Sequence, residues 1–257
     1  MIKEKPQEDI LVVENIHTFI GQFHILEGVS VKVPKGSITV LLGRNGAGKT
    51  TTLKSILGLT PPREGKVIFD GMEIQGKRAF NVASLGIGYV PEHRAIFRSL
   101  SVMENLKLAE RKKGDFNRHA DFIFDLFPDL ERLYKLPGNH LSGGQQQMLA
   151  VARALVPDNK LLLIDEPSEG LAPILIQQMM DAIRSLSERT TILLVEQNFI
   201  MASQLAQRFT IIDDGQSVHE GLMEHLVNNE EMIHQYLGAS IKTRKELELE
   251  HEAPRYW

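Results

Sequence analysis

Apolar and β-branched residues run from Ile10 to His17 and from Val29 to Val33 in partly alternating order, the pattern of half-buried strands. Pro34-Lys35-Gly36 makes a turn, and the apolar run Ser37 to Leu42 behind it reads as a buried strand. Thr51 to Leu59 is a predicted helix that stops at Thr60-Pro61-Pro62. From Ser101 to Lys135 the period becomes helical, with Val102, Leu106 and Leu108 and then Phe122, Leu126 and Leu130 at helical spacings. This stretch predicts an inserted helical subdomain over about 93–145. Beyond it the pattern predicts a helix from Gly143, a strand at Leu161 to Ile164, a helix from Ile174, a strand at Thr191 to Val195 and a helix after Asn198. Strands alternating with helices predict a parallel sheet, so the expected class is α/β. Ile211 to Val218, with Asp213-Asp214-Gly215 at its centre, reads as a hairpin, and Lys242 to Glu252 as a charged tail that is either a solvated helix or without fixed structure.

Composition narrows the possible roles. A chain of 257 residues with 42% hydrophobic and 24% charged residues suits one sizeable α/β domain with its own core. The formal net charge of -4 offers no electrostatic case for nucleic acid. With no cysteine there is neither a disulfide framework nor a thiolate metal site. Met1 to Asp9 is charged and has no apolar core, so no signal peptide is expected. Leu161 to Ile164 and Ile192 to Val195 are strand-length, far short of the ~20 residues of a membrane helix. If the chain serves transport, the channel belongs to other chains.

Gly43-Arg44-Asn45-Gly46-Ala47-Gly48-Lys49-Thr50 matches the Walker A pattern, whose glycines let backbone N–H groups wrap phosphates at a helix N-terminus. A bland Gly-rich turn is the competing reading, but the pattern arises by chance in only about one chain of this length in a hundred. Lys49 is expected to reach the β and γ phosphates of ATP, Thr50 to give its hydroxyl to Mg²⁺, and Thr51 to add an amide donor. Leu161 to Ile164 ends in Asp165-Glu166, at the strand end where an α/β sheet presents groups to a ligand. Asp165 is expected to hold the magnesium water and Glu166 to act as general base on the attacking water. Ser142-Gly143-Gly144-Gln145 is a capping box, and two glycines beside a serine hydroxyl also make an anion site suited to a γ-phosphate.

Leu141 to Gln145 resembles the signature motif of ABC ATPases, and P-loop, helical insert, signature and acidic strand come in that family's order over Ile10 to Leu237. The resemblance implies a P-loop NTPase core with a parallel sheet, an N-terminal antiparallel β subdomain and an inserted helical subdomain. It places the ATPase domain at 10–237, with charged extensions at 1–9 and 241–257. It also implies ATP hydrolysis with Mg²⁺ and a sandwich dimer in which each nucleotide meets the P-loop of one subunit and the signature of another. The second ATPase subunit is either identical or a sister chain. Two transmembrane permease subunits and, indirectly, a substrate-binding protein complete the implied assembly, at the cytoplasmic face of the plasma (inner) membrane.

Three departures from the commonest family pattern narrow the branch. Glu92, in Tyr89-Val90-Pro91-Glu92-His93-Arg94, stands where the family usually has glutamine, and Gln197, in Leu194-Val195-Glu196-Gln197-Asn198, where it has histidine. Ala172 replaces an aspartate after Pro167-Ser168-Glu169-Gly170-Leu171. Together these resemble the ATPase subunits of branched-chain amino acid importers, a group that includes urea and amide importers. Glu92 is therefore expected beside the magnesium water, and Gln197 beside the γ-phosphate as a donor that cannot become cationic. Where the family stacks adenine on an aromatic before a glycine, this chain has Ile20-Gly21, so Phe19 or Phe23 is the expected substitute, set against the plainer reading of an aromatic in a strand core. Ile96, Phe97 and Leu100 fall where the family meets its permease, with packing inside the insert as the alternative. His17, His24 and His140 lack ligand spacing, and Met179 and Met180 sit in an apolar helix. A non-transport ABC clamp is the competing function, but its members commonly fuse two ATPase units or carry a long coiled-coil insertion, and this chain has neither. A P-loop module that binds without hydrolysing is opposed by intact Lys49, Asp165 and Glu166.

Overall fold

The computed structural model describes residues 8–238, so the expected charged extensions fall wholly or mostly outside the described residues. Its strands are β1 (Asp9–Ile20), β2 (Phe23–Pro34), β3 (Ile38–Leu42), β4 (Glu64–Phe69), β5 (Met72–Glu73), β6 (Ile87–Val90), β7 (Leu161–Asp165), β8 (Thr191–Val195), β9 (Arg208–Asp213) and β10 (Gln216–Leu222). They form one antiparallel sheet in the order β2-β1-β4-β5 and one larger sheet in the order β10-β9-β3-β8-β7-β6. Within the larger sheet β9, β3, β8, β7 and β6 run parallel, and β10 turns back antiparallel on β9.

Every residue of β3, β7 and β8 is buried, as expected of parallel strands covered on both faces. The period of two divides them between two cores. Val40, Leu42, Leu162, Ile164, Ile192 and Leu194 face the helical side, whereas Leu41, Leu161, Leu163, Leu193 and Val195 pack toward the antiparallel sheet. Because β3, β8 and β7 are neighbours, their carboxyl ends emerge side by side and carry the phosphate-type loop, Glu196 and Asp165-Glu166 to one edge. In open α/β sheets that edge is where ligands bind.

The helices are α1 (Lys49–Ile56), α2 (Ala79–Ser84), α3 (Val102–Lys107), α4 (Asp115–Leu126), α5 (Pro128–Arg132), α6 (Gly143–Leu155), α7 (Pro173–Ser187), α8 (Phe199–Leu205), α9 (Met223–Val227) and α10 (Glu230–Leu237). The helical stretch after Ser101 is thus broken into α3, α4 and α5. Gly114, left-handed at φ 90°, opens α4, and Phe127-Pro128 separates α4 from α5. The region from Arg63 to Leu100, silent in the sequence pattern, holds β4, β5, α2 and β6. The Asp213-Asp214-Gly215 hairpin is present with positive φ at Asp214 and Gly215, but its first strand also pairs in parallel with β3.

Candidate nucleotide site

The loop Gly43 to Gly48 joins β3 to α1 and closes tightly on its neighbours. At Gly43, φ is 148° and an added Cβ would lie 2.1 Å from the Ile212 carbonyl oxygen; at Gly48, φ is 110° and a Cβ would lie 2.7 Å from Leu26 Cδ2. The hairpin turn after β9 holds the loop from the other side. Gly215 donates its N–H to the Ala47 carbonyl (2.9 Å), while its own carbonyl accepts the Glu27 N–H (2.7 Å). Lys49 is buried, and its ammonium donates to the carbonyls of Gly43 (3.0 Å) and Arg44 (3.2 Å) and pairs with Glu166 Oε1 at 3.2 Å. The cation thus sits inside the curled loop.

Asp165 is fully buried at the end of β7. Its Oδ1 accepts the Thr50 hydroxyl (3.0 Å) and its Oδ2 the Tyr89 hydroxyl (3.2 Å). Burial pushes Asp165 above its ordinary value, the two hydroxyls pull against it, and the charges of Glu166 and Glu92 push the same way as burial. Burial and the Asp165 carboxylate raise the Tyr89 phenol. Glu166 adopts φ 45°, a strained value for a side chain of this size, and its N–H donates to the Val195 carbonyl at 2.9 Å, joining β7 to β8. The cleft over the loop is lined by Ile25, Asn45, Gly46, Gly48, Lys49, Thr50, Thr51, Glu92, Glu166 and Glu169. A second cleft shares Glu166 and Glu169 with it and adds Ser168, Glu196, Gln197 and Asn198. The fold therefore brings the P-loop, Asp165, Glu166, Glu92 and Gln197 to adjoining surfaces.

The other expected site residues lie elsewhere. Ser142 caps α6: its hydroxyl accepts the Gln145 N–H (3.3 Å) and its own N–H donates to Gln145 Oε1 (2.9 Å). A Cβ on Gly144 would meet Leu175 Cδ1 at 2.3 Å, so the second glycine lets α6 and α7 touch. Ser142, Gly143, Gly144 and Gln145 line neither cleft. Phe19 lines neither cleft either. Its ring stacks on His24 at 4.1 Å and carries the Arg63 guanidinium 4.2 Å from its centroid, so both faces are covered. Ile25, not Phe19, walls the P-loop cleft.

Tyr89 and Glu196 were present in the motif stretches without an assigned role. Nothing in the sequence marks them beyond position, Tyr89 three residues before Glu92 and Glu196 at the end of an apolar strand. Thr50 and Asp165 offer the hard oxygen donors that Mg²⁺ prefers. Among the described residues no group of three or more His, Cys, Asp or Glu could hold a metal ion.

Residues 26–169 match the profile of the ABC transporter family. The chain is 39% identical over 232 residues to the high-affinity branched-chain amino acid transport ATP-binding protein BraG of Pseudomonas aeruginosa, a match covering 89% of this chain and 100% of that one. It is 37% identical to the probable branched-chain amino acid transport ATP-binding protein LivF of Archaeoglobus fulgidus (81% and 90% covered), and 33% identical to the lipopolysaccharide export ATP-binding protein LptB of Haemophilus influenzae (91% and 99%). A nucleotide-free ATP-binding cassette from an ABC transporter superposes with a TM-score of 0.75 at 27% identity, covering 95% of this chain and 99% of that one. This chain belongs to the ABC transporter family and is one of its ATP-hydrolysing cassettes. Among its described residues no helix is long and apolar enough to cross a membrane.

Proposed function

We propose that this chain is the ATPase subunit that energises uptake of branched-chain amino acids through separate permease subunits, working as one half of a cassette dimer at the cytoplasmic face of the membrane. The observation that carries the ATPase chemistry is the pair of contacts at the sheet edge, Thr50 to Asp165 and Lys49 to Glu166. The substrate class rests on the branched-chain relatives and on Glu92 and Gln197.

In this reading, triphosphate entering the loop gives Lys49 better partners than the Gly43 and Arg44 carbonyls, and Lys49 releases Glu166. The backbone from Gly43 to Thr51 supplies N–H donors at the start of α1. Mg²⁺, when bound, would supply neutralisation of the charge that develops on the phosphates as the γ-phosphoryl leaves. Thr50, Asp165 and, through water, Glu92 are the residues that would hold it. Glu166, freed of Lys49, takes the proton of the attacking water, and Gln197 donates its amide to the γ-phosphate. Ser142, Gly143, Gly144 and Gln145 do not line the cleft over their own P-loop, which supports a site completed by the signature of a second subunit.

Uptake of labelled leucine and labelled urea by intact source cells, native against Glu166→Gln, tests the assignment. Leucine uptake alone is expected to disappear, with ATP turnover of the purified variant falling by about 10²–10⁴-fold. Loss of urea uptake instead moves the substrate to the amide group. Survival of both overturns the transport assignments and favours a non-transport clamp.

A further inference from the structure

Glu196 is 1% exposed, and no cation lies within ion-pair distance of it among the described residues. Its carboxylate is held by neutral donors alone. Oε1 accepts the Ser168 N–H (3.1 Å), and Oε2 accepts the Ser168 hydroxyl (3.0 Å), the Gln197 N–H (3.1 Å) and the Asn198 N–H (3.0 Å). Burial raises its pKa above the ordinary value against the pull of these bonds. A buried carboxylate without a cation is a costly choice, tolerable because several donors converge on it. No neutral side chain of this size accepts from four donors at once.

The donors come from two different turns. Ser168 follows Glu166 at the end of β7, and Gln197 and Asn198 follow β8. One layer below, the Glu166 N–H already ties the two strands to the Val195 carbonyl. Asn198 in turn caps α8 by accepting the Met201 N–H at 3.1 Å. Gln197, whose side chain is exposed at the cleft, is therefore fixed on one side by a helix cap and on the other by the Glu196 carboxylate.

We propose that Glu196 is a positioning residue whose buried carboxylate clasps the Gln197 turn to the Ser168 turn, so that the amide facing the γ-phosphate and the segment following the general base move as one unit. The proposal rests on the reading of Gln197 given above. It predicts that Glu196 acts on turnover through Gln197 and leaves nucleotide capture by the P-loop alone.

The test is a double-mutant cycle on the full chain. ATP turnover and the affinity for a fluorescent non-hydrolysable ATP analogue are measured for the native protein, Glu196→Gln, Gln197→Ala and the double variant. Glu196→Gln keeps size but must turn its NH₂ toward donors. Expected are a kcat lowered about 10- to 100-fold, the range typical of lost supporting contacts, analogue affinity within about twofold, and a double variant no slower than Gln197→Ala. If the two losses multiply, or if Glu196→Gln turns over at the native rate, the clasp is wrong. Native turnover in Gln197→Ala would instead sink the γ-phosphate reading on which the clasp depends. Should Glu196→Gln fail to fold, the same cycle with Ser168→Ala decides, with a smaller loss of kcat that again vanishes in the Gln197→Ala background.

Discussion

At the start of α4 in the helical insert, Asp115 is 2% exposed, accepts the N–H groups of Arg111 (3.0 Å) and Lys112 (2.8 Å), and pairs with the Arg118 guanidinium. At the end of β7, Asp165 is equally covered but meets only the hydroxyls of Thr50 and Tyr89, with Glu166 and Glu92 nearby. Burial pushes both carboxyls upward. In Asp115 the Lys112 N–H, the Arg118 contact and the Arg111 N–H outweigh it and bring the group below its ordinary value. In Asp165 burial wins. The insert's carboxylate has a cation within its own chain, whereas Asp165, buried at the end of β7, meets none among the described residues. Satisfied charge fastens a helix start, and a carboxylate left short of a partner is suited to a divalent cation.

The comparison is sharpest at Asp165→Asn. Turnover should fall by more than about 100-fold, beyond the cost of a supporting contact, while the metal-free protein melts higher at pH 7. The sign follows from the raised value: stability from Asp165 is present below its unfolded pKa of about 3.9 and lost as pH rises through the higher folded value, so at neutral pH the ionised group is a net cost that asparagine removes. A lower melting temperature in the variant would break the contrast. Asp115→Ala should act in reverse. Leaving two backbone N–H groups without their acceptor costs about 2 kcal/mol, or roughly 4–8 °C in melting temperature, with analogue affinity unchanged. Because its folded value is depressed, that contribution is present above about pH 3.9 and lost as pH falls through the folded value, so native and variant melting curves should converge on acidification. Divergence would sink the assignment. The smallest effect is expected at Tyr89→Phe, which removes one of the two hydroxyls on Asp165. Mn²⁺ binding in the presence of nucleotide, read by electron paramagnetic resonance, should weaken by about tenfold, and no change would show that Thr50 suffices.

Much of this was legible in the sequence for reasons that differ from region to region. The loop at Gly43 to Thr50 and the carboxylates after Leu161 to Ile164 are local patterns, and the burial of β3, β7 and β8 follows from their apolar runs. Tyr89 and Glu196 escaped because their contacts depend on strand register: Tyr89 lies across from Leu163, which sets its hydroxyl beside Asp165, and Glu196 meets Ser168 only because β7 and β8 are neighbours. β4 exposes Glu64, Gly65 and Lys66 and buries only Val67 and Phe69, too few positions for a pattern to register. An aromatic ring beside Ile20-Gly21 marks Phe19 in the sequence, and only the fold reveals that His24 and Arg63 cover it.

The phosphate-binding strand has a consequence in time as well as in space. Both neighbours of β3 in the central sheet, β8 and β9, lie beyond residue 190, and Gly215 supplies the hydrogen bond that steadies Ala47. During synthesis the Walker loop therefore leaves the ribosome long before any strand can pair beside it. Nucleotide binding becomes available only once β8, β9 and Gly215 have been made, so the capacity to bind ATP reports that the sheet around the loop has folded.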